Sequence, residues 1–418
     1  MKISKILVTL GLILIISLTY SQENEETTED EYIKMAGNIS ITPGFSYGES
    51  KAKGKKIENT FNFNVFAGKS HRLDGMEIGY FWNHNIEYAK GFQIGGLLNS
   101  VDGNFSGFQS AGLVNYAGNN VHGVQFAGIS NFTKGSLKGA SFAGIANYTG
   151  KDAKGAQFSG SVNYNEGNIK GFQGAGTINV VQGNVSGVQF AGTTNYVRGT
   201  TKGWQSAGCV NVTSNLASGV QTSGFLNYAK NVSSNSWQIG VVNISEKNEG
   251  VPIGLFSYVK EQGVHYDVWG DETGFTNFGI RTGNKKHGNT LFAGIQVDSD
   301  DELYTLGYAF DRKFSFNNKG FVSLGLSHQG IIEGFDHFED WDDDDDEEWD
   351  FDWHALNKFE LLFGLNLGVL DVYAGPTYNI FLSETNDGDD LAPYSLSESK
   401  EDDVWVRSWI GAKVGIRY

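Results

Sequence analysis

The one dense cluster of ligand-type side chains is the run Asp340 to His354, Asp-Trp-Asp-Asp-Asp-Asp-Asp-Glu-Glu-Trp-Asp-Phe-Asp-Trp-His. Carboxylates are hard oxygen donors, so Asp342, Asp344, Asp346 and Glu348 are the candidates for holding Ca2+ or another hard cation, including one that bridges to anionic lipid head groups. The run lacks EF-hand spacing and has no Gly at the turn position. The simpler reading is therefore a solvated acidic loop, and no cofactor is expected. Trp341, Trp349 and Trp353 suit stacking on sugars or anchoring at a membrane interface, the second being preferred. His337 and His354 flank the run, but two His without a defined third ligand do not make a zinc site. Glu333 and Asp336 can be drawn as an acid/base pair, yet carboxylates are so frequent here that such pairs arise by chance. No Gly-x-Ser-x-Gly, His-Glu-x-x-His or P-loop occurs, so no catalytic residue and no enzyme is expected. Cys209 is the only cysteine. It supports neither a disulfide nor a thiolate metal site and reads as a small packing residue.

The elements that would position these residues are strands. The chain has 418 residues, 13% aromatics, 56 Gly and only 4 Pro, a mixture that favours strands and tight turns over disorder. Its formal charge of −17 excludes a nucleic-acid partner, which needs Lys and Arg clusters. Lys2 and Lys5 precede an apolar run from Ile6 to Leu18, followed by Thr19-Tyr20-Ser21. Residues 1–21 therefore read as a signal peptide cleaved after Ser21. Residues 22–36 form an acidic N-terminal tail, and no later run is long and apolar enough for a membrane helix.

Residues 37–418 read as all-β, with a repeat region at 73–260 and non-repeat strands at 261–418. Two early segments, Asn38 to Tyr47 and Glu58 to Gly68, alternate apolar and polar residues, with the Lys-rich stretch Lys51 to Lys56 as a loop between them. In the repeat region the phrase Gly-x-Gln-x-Ala-Gly-x-x-Asn recurs every sixteen residues, with opening glycines from Gly91 to Gly219 and asparagines from Asn99 to Asn227. Numbering each unit from its first Gly, positions 2, 4, 8 and 10 are mostly apolar. Positions 1, 3, 5 and 9 are Gly, Gln, Ala or Ser, and Asn. That alternation excludes a helix. Positions 11 to 13, such as Asn165-Glu166-Gly167, read as a three-residue hairpin loop with a bulge. The apolar band from position 2 to position 10 covers about 27 Å of strand, the height of a lipid-facing belt when tilted. Aromatics at its two ends (Tyr116, Phe132 and Tyr148; Phe92, Phe108 and Trp204) and Lys90, Lys138 and Lys154 at position 16 add a girdle and a basic fringe. Eight further strands are expected at 263–269, 273–283, 289–298, 303–314, 319–332, 356–367, 370–383 and 403–418. Short turns alternate there with acidic loops, and the last strand ends on Tyr418.

The expected fold is thus an antiparallel outer-membrane β-barrel of about 22 strands, with outer-membrane lipid and the barrel assembly machinery as partners. The alternative is a β-solenoid of sixteen-residue coils, stacking Asn and Gln on their equals, joined to a smaller C-terminal β-barrel. It requires a second corner in each unit, which only Ala-Gly at positions 5 and 6 can supply.

The repeat units, with the closing segment Gly250-Val-Pro-Ile-Gly-Leu-Phe-Ser-Tyr-Val-Lys, resemble those of the bacterial surface repeat-containing proteins of leptospiral and Bacteroidetes type. The resemblance covers roughly residues 75 to 260. It implies a cell-surface setting and transfers no chemistry, because that family has no assigned binding residues. The functional expectation is an outer-membrane surface protein acting as a passive channel or structural barrel, its wall lined by the Gln and Asn rows. The alternative is a surface adhesin or binding protein whose solenoid presents those rows.

Overall fold

The computed structural model describes residues 32–296, 303–316, 319–333, 354–384, 391, 394–401 and 404–418. Each repeat folds as one turn of a coil. In the unit that opens at Gly123, a seven-residue strand Val121–Ala127 and a four-residue strand Ser130–Thr133 are joined by a corner at Gly128 and Ile129. Both strands pair parallel with their counterparts in the next unit, Leu137–Ala143 and Ala146–Thr149, so that Gly123 faces Gly139 and Asn131 faces Asn147. Asn99, Asn115 and Asn131 accordingly stand in one same-direction column. Neighbouring repeats do not run antiparallel, and the 22-stranded meander is replaced by a solenoid of about thirteen turns. The turn cluster at positions 11 to 13 closes a coil rather than a hairpin. The second corner is made at positions 6 and 7, where Gly128 N and Ile129 N donate to Ala111 O and Leu113 O of the preceding coil.

Two glycine columns record this stacking. At position 1, Gly171 has φ +137, and a Cβ there would lie 2.0 Å from the carbonyl oxygen of Gly155, one coil earlier. At position 6, a Cβ on Gly176 would lie 2.0 Å from Gly160 O. Only a residue without a side chain lets the next coil approach to strand spacing at these points.

Positions 3, 5, 9, 11 and 15 point into the coil. Position 15 contributes Leu73, Phe105, Val121, Leu137, Ile169 and Val185 to the apolar part of the core, and position 11 contributes Val101, Val181 and Val197. Gln at position 3 and Asn at position 9 are fully buried beside them. Positions 2, 4, 7, 8 and 10 face outward. At the N-terminal end the strands Tyr32–Met35 and Asn38–Thr42 pair parallel with Lys56–Asn64. A short helix, Tyr47–Ala52, covers that end, taking in the last residue of the first expected strand and the first two of the expected loop. It packs Ala52 on Met35 and Ile57, with Ser46 accepting from Glu49 N as its cap.

From His265 onward the chain forms a closed antiparallel barrel of eight strands: His265–Asp271, Phe275–Gly283, His287–Gln296, Leu303–Phe316, Gly320–Glu333, His354–Asn366, Asp371–Ser383 and Val404–Arg417. The first and last strands pair, Val268 opposite Ile416, so the cylinder has no open edge. These eight correspond to the eight expected in the C-terminal third. The short strand Ser397–Glu401 folds back on the last one.

The last coil abuts the outward-facing side of the second and third barrel strands. Asn284 Nδ2 donates to Gly250 O (2.6 Å), Asn289 Nδ2 to Pro252 O (2.9 Å), and Ser257 N to Thr282 Oγ1 (2.9 Å). Asn289 Oδ1 accepts from Gly254 N (3.2 Å) and from Tyr308 Oη (2.7 Å).

The position-1 column makes a direct prediction. Gly171→Ala should lose about 1–3 kcal/mol or more of unfolding free energy, since it combines an unfavourable φ with a backbone collision. Gly37→Ala, where a Cβ meets nothing within 4 Å, should stay within about 0.5 kcal/mol of the parent. Denaturant titration of the folded full chain compares the two, and equal midpoints would contradict the stacking.

Candidate functional site: amide columns, a charged barrel interior and an apolar outside

Inside the coil the amides bond to their own copies. Asn99 Nδ2 donates to Asn115 Oδ1 (2.9 Å) and Asn115 Nδ2 to Asn131 Oδ1 (2.9 Å), each amide also donating to the position-4 carbonyl of the next coil. The Gln column runs the other way. Gln125 Nε2 donates back to Gln109 Oε1 (2.8 Å), and Gln109 Nε2 to Gln93 Oε1 (2.7 Å). Ser141 interrupts this column. There Thr133 Oγ1 donates to Gln125 Oε1 and Gln157 Nε2 donates to Thr149 Oγ1, restoring partners on both sides of the gap.

The Gln column ends on a carboxylate. Glu77 occupies position 3 of the first complete unit and is fully buried. Its Oε2 accepts from Gln93 Nε2 (2.9 Å), while its Oε1 accepts from Asn62 Nδ2 (2.6 Å) and Asn64 Nδ2 (2.9 Å). A carboxylate accepts from both directions, which no amide does without turning a neighbour over. Burial raises the Glu77 pKa above the ordinary carboxylate range, and the amide donors only partly offset it.

The barrel interior carries ion pairs between two apolar clusters, Phe275, Ile331, Leu356, Phe381 and Trp409 in one and Phe321, Leu362 and Tyr373 in the other. Arg417 makes a forked contact with Asp267 (2.7 Å from each guanidinium nitrogen) and Arg281 another with Asp311 (3.0 and 2.9 Å). Lys413 donates to both oxygens of Glu360 (3.0 Å each) and lies 4.2 Å over the Trp269 ring. Lys313 pairs with Asp371 and Lys358 with Asp271. Glu272 accepts from Trp409 Nε1 (3.0 Å) and from Ala412 N (2.8 Å). These are charge-assisted contacts in which each ion but Glu272, held by neutral donors, meets its opposite. The void left among Asp267, Asp311, Glu360 and Arg417 is about 20 Å3, room for about one water molecule. The outward positions of the same strands are large and apolar: Val268, Phe278, Leu291, Leu326, Phe363 and Ile410 are all exposed.

The coil too is apolar over part of its outside, in addition to the apolar side chains of its core. Its outer surface carries a row of aromatic rings, Phe126, Phe142 and Phe158, with centroids 4.7 and 5.4 Å apart. Across the corner a second row, Tyr116, Phe132, Tyr148 and Tyr164, stacks at 5.7, 4.3 and 5.8 Å.

Asp342, Asp344, Asp346, Glu348, the three Trp residues, His337 and Asp336 lie outside the described residues. His354 is described. It opens the sixth barrel strand, its Nδ1 is 2.8 Å from Ser383 Oγ, and its ring stacks on Phe381. Among the described residues, no three His, Cys, Asp or Glu side chains are grouped to hold a metal ion. Cys209 is exposed at position 7 rather than packed inside. The Gln and Asn rows line no wall and face no partner, being spent on one another within the coil. The ion-paired barrel interior has a signal in the sequence, because charges sit an even number of residues apart within apolar strands, two in Lys358-Phe-Glu-Leu and four in Lys413-Val-Gly-Ile-Arg417.

Glu77 carries a pH prediction. Its folded pKa is raised, so the folded chain keeps the proton to higher pH than the unfolded chain does. Its contribution is then greatest below the unfolded value and is lost as pH rises through the folded one. Relative to Glu77→Gln, the parent should lose stability steadily from about pH 4.5, the ordinary value, upward. Paired denaturant titrations at several pH values read the difference, and a flat difference would show that Glu77 does not titrate abnormally.

Comparison of the chain with protein-family models, with curated proteins and with solved structures returned no match.

Proposed function

We propose that this chain is an outer-membrane protein in which the eight-stranded barrel is an anchor and the solenoid is a rigid platform held beside it, with no channel and no catalysis. The observation that carries this reading is the inverted barrel. A cylinder with ion pairs inside and Val268, Phe278, Leu326 and Phe363 outside is costly in water and favourable in a bilayer. The apolar run after Lys2 and Lys5 fits export through a signal peptide. The small void of about 20 Å3 among the paired charges supports an anchor rather than a pore. Small barrels of this strand number are filled by their own side chains.

Orientation follows from connection lengths. The links that follow Gly283, Phe316 and Asn366 are short and belong to the end where the coil attaches, whereas those that follow Glu333 and Ser383, at the other end, are long and only 272–274 there is short. Outer-membrane barrels keep short turns on the periplasmic side, so the coil is assigned to that side and the acidic loop to the outside. The adhesin reading loses its presented face, because the Gln and Asn rows are internal. The resemblance of the repeat to surface repeat-containing proteins still suits an envelope protein.

The anchor reading is tested by reconstituting the full chain into phosphatidylcholine vesicles. The protein should resist extraction by alkaline carbonate and should leave the vesicles tight to small sugars. Leu326→Arg, in the middle of an outward-facing strand, should weaken insertion by about 2–4 kcal/mol. In water the same substitution at an exposed position would be nearly neutral. Release by carbonate, or sugar leakage through the parent protein, would refute the reading.

A further inference from the structure

An anchored platform does not by itself explain why the outside of the coil is apolar along only part of its perimeter. In the unit at Gly139 the outward residues on either side of the position-6 corner are Ala140, Phe142, Ile145, Ala146 and Tyr148. The opposite corner reads Gly150-Lys151-Asp152, and its neighbours along the stack are Lys134-Gly135-Ser136 and Glu166-Gly167-Asn168. Lys138, Lys154 and Lys170 stand at position 16, just beyond the apolar part. Most coils are therefore amphipathic in cross-section, with one greasy corner and one watery corner, although Ser161, Thr177 and Thr193 stand at position 7 of three successive coils. From position 2 to the greasy corner is about five residues, or roughly 15 Å at strand rise. That is half of a hydrocarbon core about 30 Å thick.

The junction with the barrel gives the greasy corner a direction. Gly250, on the watery side of the last coil, bonds Asn284 in the short turn at the barrel rim. Pro252 and Gly254, successively nearer the greasy corner, bond Asn289 farther up the wall. Asn289 is followed on the same outward face by Leu291, an exposed member of the apolar belt. The corner thus points along the barrel wall toward that belt, and the watery edge stays level with the short turns.

We propose that the greasy corner of the solenoid is immersed in the hydrocarbon of the leaflet adjoining the short-turn rim, with the position-16 lysines at the head groups, so that the coil is a wedge in one leaflet. This rests on the anchor reading above. The row Phe126, Phe142 and Phe158 borders an open groove of about 590 Å3 floored by Gly128, Gly144 and Gly176, where acyl chains pack. Lipid tolerates only backbone that is hydrogen-bonded within the protein. The coil meets that condition because even its corners bond from turn to turn, and its ends are covered by the barrel and by the N-terminal strands and helix.

Cys209, exposed at the greasy corner, is a native reporter. The full chain is reconstituted in phosphatidylcholine–phosphatidylglycerol vesicles with a nitroxide on Cys209. Two further proteins carry Cys209→Ser with either Lys151→Cys on the watery edge or Leu326→Cys on the barrel exterior. The labels at 209 and 326 should collide far more with oxygen than with an aqueous nickel chelate, and the label at 151 should do the reverse. A label at 209 that matches 151 while 326 remains in lipid would overturn the wedge and leave the anchor standing. A label at 209 shielded from both reagents would place a second copy or another macromolecule on that face and also overturn it. If 326 itself meets the nickel chelate, the anchor and the wedge fall together.

Discussion

In the solenoid each side chain has its own counterpart as neighbour, sixteen residues away, and this self-pairing governs the rest. A column of identical groups must be self-complementary. Asn and Gln carry a donor and an acceptor on one planar amide and meet that demand indefinitely, whereas a column of carboxylates or ammonium groups would repel itself. The buried positions 3 and 9 are accordingly neutral through the stack. The two columns point in opposite directions, Asn donating forward and Gln backward, so their aligned amide dipoles oppose rather than add. A charge enters only where a column ends, at Glu77.

Antiparallel pairing in the barrel sets a different rule. Each inward residue meets different residues on its two flanking strands, so opposite charges can be brought together, and they are. Lys413 with Glu360, Arg417 with Asp267 and Arg281 with Asp311 form a network in which removing one member would strand its partner in a nearly dry interior. The same chain thus solves the polar interior twice, by self-pairing amides where the strands are parallel and by complementary ions where they are antiparallel. In both parts apolar side chains fill the rest of the interior and also cover much of the outside. Water would penalise that arrangement, while a bilayer rewards it, because lipid contact replaces burial in a core.

Much of the architecture could be read along the chain. Alternation between Gly263 and Tyr418 located all eight barrel strands, because a strand with one apolar face writes its period of two into the residues themselves. The strict recurrence of Gly, Gln and Asn identified the repeat and its even and odd faces. The direction in which one repeat lies beside the next was not readable that way. An antiparallel hairpin and a parallel coil carry the same alternation, and they differ only in backbone angles at a few corner residues and in partners sixteen positions off. The role of Gly128 and its equivalents as corners, and hence the choice of parallel over antiparallel, emerges only when the preceding coil's carbonyl occupies the space of a Cβ.

What the residues decided alone was local: strand or turn, which side chains share a face, and that one face is apolar and the other neutral and polar. Which face is the inside was settled by tertiary structure, since the odd face closes on itself only when two parallel ladders meet across a coil. The same holds for the ions of the barrel. Lys358 and Glu360 are two apart in sequence, but their partners Asp271 and Lys413 lie on other strands. Pairing between strands is a property of the closed sheet, and no stretch of chain contains it.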